Sequence, residues 1–100
     1  MFGDLMGKLG DMKSKMAAVK ERLSTISVQG ESSNKNVVVT MDGNKVMKDV
    51  EINFDLNTVD KEELQDMMVQ ATNRAIEQAE KVYEAEMAAS AKDFLPGMGL

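Results

Sequence analysis

The chain has no cysteine and no histidine. Without cysteine there can be no disulfide framework, thiol nucleophile or thiolate-bound zinc. Without histidine the commonest general base and transition-metal ligand are gone. Proline occurs once, at Pro96, so none interrupts a helix before that point. Aromatic residues make up 4% of the chain, so the core has to be built from Leu, Val, Ile, Ala and the ten Met. No apolar run approaches the roughly 18 residues that cross a bilayer. Met1–Gly7 has neither the basic nor the continuous apolar stretch of a secretory signal. The expected location is therefore the cytoplasm, without a membrane partner. A length of 100 residues, 43% hydrophobic and 29% charged, suits one small globular domain spanning 1–100.

The net charge of −5 is unevenly spread. Residues 1–24 carry Lys8, Lys13, Lys15, Lys20 and Arg22 against Asp4, Asp11 and Glu21, a local excess of positive charge. Residues 25–60 and 61–100 are each net acidic. A basic segment on an acidic body admits an anionic partner at one end and opposes indiscriminate coating of nucleic acid.

Periodicity divides the chain into three parts. Over residues 4–25 the spacing predicts a helix: Phe2, Leu5, Leu9, Met12, Met16, Val19, Leu23 and Ile26 follow an alternating three- and four-residue step. That is the narrow seam of a coiled coil, and Leu9, Met12, Met16, Val19 and Leu23 are the expected dimer or helix contact. With Leu9 at heptad position a, every basic residue of the segment falls at e or g, flanking the seam. Gly3, Gly7 and Gly10 each weaken this helix by about 1 kcal/mol relative to Ala. Between residues 25 and 55 the period becomes two, with Ile26 and Val28, then Val37, Val39 and Met41, then Val50, Ile52 and Phe54 on the buried side. Asp42-Gly43 marks a tight turn between the second and third of these strands. Over 61–92 the pattern is helical again. Asp60 and Glu63 form a capping box, and Val59 and Leu64 a hydrophobic staple. A stripe of mostly small residues from Leu64 through Ala71, Ala75 and Ala79 to Val82 invites close approach of another helix. Residues 93–100 are expected to form a flexible tail.

The expected fold is α+β: an α-β-β-β-α chain with a three-stranded antiparallel meander and two long helices. At 1.5 Å per residue the helices measure about 30 and 45 Å, too long for a sphere of this mass. They should project, and the free seam and sheet edges argue for a homodimer.

Several segments resemble the YbaB/EbfC family of nucleoid-associated proteins. The Met12–Met16 stretch is similar to the family's Met/Lys-rich first helix, and Val28-Gln29-Gly30-Glu31-Ser32 to its V-x-G-E-S element. Val37–Val39 with Gly43, then Val50-Glu51-Ile52, resemble its second and third strands. Leu64-Gln65-Asp66-Met67 followed by Ala71-Thr72-Asn73-Arg74-Ala75 is similar to its last helix, and Leu95-Pro96-Gly97-Met98 to its tail. Ser33-Asn34-Lys35-Asn36 departs from a loop that is often glycine-rich there. The resemblance implies a bacterial cytoplasmic and nucleoid location, a tweezer-like homodimer on a joined sheet, and binding of double-stranded DNA that shapes the nucleoid or influences expression. It implies no enzymatic activity.

The candidate DNA-binding residues are Lys8, Lys13, Lys15, Lys20 and Arg22, with Arg74; Lys15 and Arg74 lie inside the resembling motifs. A competing reading pairs the first-helix cations with Glu77, Glu80, Glu84 or Glu86 of the last helix. Alternatives to DNA binding are a helical module that clamps another protein and a membrane-surface protein using Phe2, Leu5, Met6 and Leu9. No catalytic residue, metal site or cofactor is expected. Ser32, Ser33 and Lys35 form no dyad with an oriented base, and no phosphate-binding loop is present.

Overall fold

The computed structural model describes the backbone of residues 2–94 and the side chains of residues 6–91. The order is α1 (Phe2–Ser24), β1 (Ser27–Glu31), β2 (Val37–Asp42), β3 (Met47–Ile52) and α2 (Lys61–Phe94). Asp93 and Phe94, placed in the tail by the sequence pattern, belong to α2, and the rest of that expected tail lies outside the described residues. The three strands form one antiparallel sheet in the order β1-β2-β3. The molecule measures 67 × 24 × 19 Å with a radius of gyration of 19.2 Å, against about 13 Å for a compact 100-residue domain. The helices do project beyond the sheet.

The core lies on one face of the sheet. Val37, Val39 and Met41 of β2 pack against Met67, Ala71 and Ala75 of α2. In register, Gly30 of β1 and Val50 of β3 flank Val39, so all three strands present this face to α2. The small residues of α2 meet the sheet here rather than the neighbouring helix expected from their pattern. A Cβ at Gly30 would collide with the backbone nitrogen of Ala75 and the carbonyl of Ala71, and would lie 2.7 Å from the carbonyl carbon of Arg74. Only glycine below and alanine above let strand and helix backbones come so near.

α2 crosses β1 and β2 and leaves β3 almost uncovered. The buried face expected of the third strand is therefore incomplete: Val50 is half-buried, Ile52 is 41% exposed, and Phe54 packs on the core from beyond the strand's end. Val38, on the opposite face of β2, is nevertheless buried. The Asp42-Gly43 turn forms with a wider loop than a two-residue hairpin. Asp42 Oδ1 accepts from the backbone N–H groups of Asn44 at 2.8 Å and Val46 at 3.1 Å, Lys45 takes φ 66°, and the register shifts between Thr40 and Met41. Gly43 abuts α1: its N–H donates to the Leu23 carbonyl at 2.9 Å, and a Cβ there would sit 2.8 Å from a Leu23 methyl.

At the start of α2, Val59 and Leu64 both pack on the core, as a staple requires. The side-chain bonds of an Asp60–Glu63 box are absent among the described residues; the first turn is closed by Leu64 N–H donating to the Asp60 carbonyl at 3.0 Å.

Gly30→Ala should destabilise the protein by about 3 kcal/mol or more, because the new methyl meets helix backbone that cannot rotate away. Gly7→Ala, in open space on α1, should not destabilise it. Urea unfolding of the two variants measures this; a loss below about 1 kcal/mol for Gly30→Ala would mean that α2 is not seated as described.

Candidate nucleic-acid interface

α1 leaves the sheet at Leu23 and runs outward. α2, having crossed the sheet, runs outward beside it in the opposite chain direction. The Arg22 guanidinium fixes their relative height: its Nε donates to Glu86 Oε1 at 2.6 Å and its Nη2 to the hydroxyl of buried Ser90 at 3.2 Å. Val19 and Leu23 are buried at this inner end of α1. Phe94, where α2's described part stops, lies only one turn beyond Ser90. Among the described residues, none of α2 lies beside the outer half of α1.

This geometry divides the expected seam. Val19 and Leu23 are closed and Met16 is half-buried, but Leu9 is 54% and Met12 45% exposed, and Met6 beside them 70%. Among the described residues of the chain, the continuous contact from Leu9 to Leu23 expected from the heptads is not made: it closes at Val19 and Leu23 and opens toward Met12 and Leu9.

The expected cations separate in the same way. Lys8, Lys13, Lys15 and Lys20 are exposed on α1. Lys13 and Lys20 stand seven residues apart on one flank of the stripe, about 10 Å along the axis; Lys8 and Lys15 repeat that spacing on the other. Lys20 lies at the inner end, where its carbonyl accepts from Asn44 Nδ2 at 2.9 Å. Arg22 is committed to α2, as the competing reading expects, and Arg74 is not on the arm at all. Arg74 Nη1 donates to the Glu31 carbonyl at 2.8 Å and Nη2 to Ser33 Oγ at 3.4 Å. With Ser33 N–H donating to Gln70 Oε1 at 2.7 Å and Asn34 Nδ2 to Met67 Sδ at 3.0 Å, it fastens the Ser33–Asn36 loop to α2. Arg74 thus joins α2 to the end of β1 and the loop that follows it.

Acidic residues line the sheet face away from α2: Glu31 and Glu51 flank Val38, and Asp49 lies opposite Thr40. Glu80 on α2 faces Lys45 at 3.6 Å, and the same ammonium lies 5.8 Å from the centroid of the Tyr83 ring. The sequence pattern expects free sheet edges, of which β3 is one, but does not single out Lys45. Val46, Met47 and Ile52 leave that edge partly apolar and exposed. Among the described residues, no three acidic side chains are grouped to hold a metal ion, and no helix is long and apolar enough to cross a membrane.

Comparison with known proteins gives a consistent picture. Residues 1–94 match the model of the YbaB/EbfC DNA-binding family. A Flavobacterium johnsoniae protein named nucleoid-associated protein is 33% identical over 94 residues, covering 94% of this chain and 88% of the relative. A crystal structure of an uncharacterized protein from Helicobacter pylori shares the fold, with a TM-score of 0.66 at 23% identity, over 83% of this chain and 96% of that one.

The Arg22–Glu86 pair is half open to solvent on the Arg22 side, so it should hold geometry more than stability. A double-mutant cycle with Arg22→Ala and Glu86→Ala, read by urea unfolding, should give a coupling below about 1 kcal/mol that shrinks with salt. A salt-insensitive coupling above about 2 kcal/mol would show a desolvated pair and a more tightly joined base to the arm.

Proposed function

Because the chain belongs to the YbaB/EbfC DNA-binding family, we propose that it binds double-stranded DNA of the nucleoid with the outer part of α1, through phosphate contacts from Lys8, Lys13, Lys15 and Lys20. The observation that carries this reading is the exposure of these four lysines on an arm that leaves an otherwise acidic body. An anionic polymer is attracted to the arm and repelled by the sheet face and by the Glu-bearing length of α2. Helix-borne lysines with no aromatic platform suit backbone neutralisation with little reading of bases. Arg22 and Arg74 take structural parts. In this reading the protein has no catalytic role and needs no cofactor.

The working unit is a homodimer. β3 is an edge strand whose backbone faces outward, and Val46, Met47 and Ile52 leave it partly apolar. Such an edge invites pairing with a second strand, and a two-fold copy supplies one of matching chemistry. Two copies present eight arm lysines; if about half touch phosphate, the log–log salt slope is roughly −3 to −4.

Lys13→Glu with Lys20→Glu should weaken binding to unrelated duplexes by about tenfold or more, to a similar extent for each, and flatten the salt slope. Fluorescence anisotropy at two salt concentrations measures this, with sedimentation confirming an unchanged assembly. Unchanged affinity and slope would move the contact off that flank of the arm.

A further inference from the structure

Along the outer half of α1 runs an open groove. Met6, Leu9, Met12 and Met16 give it apolar surface, and Lys13 and Lys20 stand beside them. DNA phosphates have no use for the apolar part, and a stripe of exposed Met and Leu on a small protein marks a contact surface. We propose that this groove docks an acidic amphipathic helix of a partner protein.

The inner end of α1 shows what this face accepts. There α2 lies alongside, Val19 and Leu23 are buried, and Glu86 Oε1 accepts from Arg22 Nε at 2.6 Å. The inner seam is thus filled by a helix that closes on the apolar line and offers a carboxylate to the cation beside it. Leu9, Met12 and Met16 continue the same heptad line outward, and Lys13 and Lys20 stand next to it as Arg22 does further in. Asp11 and Glu21 fall at heptad positions c and f, off this face. The complement of apolar surface with ammonium groups beside it is apolar surface with carboxylates beside it. Length and spacing point to a helix as its carrier. From Met6 to Lys20 the groove measures about 21 Å, roughly four helical turns, and its apolar residues follow the three- and four-residue steps that seat a helix in a groove. Unbranched Met side chains adjust to the ridge laid against them, and Gly10 leaves open space where a Cβ would be.

A second copy of this chain does not supply that complement. Two α1 helices paired about a two-fold axis would set lysines against lysines. The Glu86 side of α2 is already engaged by Arg22, and among the described residues Val69 is the only large hydrophobic side chain exposed on α2. An anionic membrane is opposed by the net charge of −5 and by the narrowness of the apolar strip. The inference does not rest on the DNA-binding reading, and its test contains no DNA.

The test uses the full chain and a fluorescent synthetic peptide of about 15 residues, long enough for the groove, with Leu and Ala on one helical face and Glu flanking it. One control peptide carries Lys in place of Glu, and another has the same composition in scrambled order. In anisotropy titrations the Glu peptide should bind at least about tenfold more tightly than either control. Leu9→Gln with Met12→Gln removes apolar surface while keeping good helix formers, and should weaken that binding by about tenfold. Lys13→Gln with Lys20→Gln should weaken it by about fivefold and flatten its salt dependence. Circular dichroism and sedimentation should show fold and assembly unchanged in both variants. Equal binding of the Glu and scrambled peptides would overturn the proposal, as would an affinity that neither pair of substitutions alters. Dissociation of an assembly by Leu9→Gln with Met12→Gln would assign the groove to a second copy and overturn it. Flotation with anionic vesicles that this variant abolishes, without binding of the Glu peptide, would assign the groove to a membrane and overturn it too.

Discussion

The close approach of α2 to β1 at Gly30 sets the rest of the molecule. With glycine on the strand and Ala71 and Ala75 on the helix, the two backbones come within a distance that no side chain could share. The contact pins α2 over β1 and β2, closes the Val37, Val39 and Met41 face, and leaves β3 as a free edge. It also aims the remaining turns of α2 past the sheet, where Glu86 and Ser90 receive Arg22 and Val19 and Leu23 are buried. A larger residue at any of these small positions would lift the helix and change the course of both arms.

From that seating follows a separation of charge in space. Acidic residues line the open sheet face and outnumber the cations of α2, whereas α1 carries exposed Lys8, Lys13, Lys15 and Lys20 against exposed Asp11 and Glu21. Long-range attraction and repulsion then act along one axis of a 67 Å molecule, several screening lengths at physiological salt. In the proposed reading, such an arm meets a phosphate backbone end-on or along its length without the body interfering. Membership of a DNA-binding family and the physical layout thus point the same way, although they rest on different observations.

Much of this was legible in the sequence. The shift from heptad spacing to period two and back marks α1, the three strands and α2, and the sum of the helix lengths already excludes a sphere. Asp42-Gly43 marks the turn, and the resemblance is carried by motifs whose structural reason can now be named: Gly30 in V-x-G-E-S and Ala71 and Ala75 in the last helix are two sides of one contact. What remained illegible depends on long-range placement. Heptad spacing shows which face of α1 is apolar but not how far a partner extends along it, so Leu9 and Met12 looked as closed as Leu23. Period two shows which residues share a face but not that α2 stops short of β3, so Ile52 looked buried. Charge counting cannot distinguish Arg22, which reaches Glu86 and Ser90, from Lys13 and Lys20 on the opposite flank. Nor can it see that Arg74 reaches back to the Glu31 carbonyl.

The central claim is that DNA contact belongs to the outer part of α1 and the acidic body stands clear. Backbone amide shifts followed by NMR during titration with a short duplex test it most directly, because they report every region at once. The account predicts shifts concentrated in residues 6–20, with β1, β2 and residues 62–80 of α2 nearly unmoved. Shifts centred on the sheet face or on α2, with residues 6–20 silent, would contradict it.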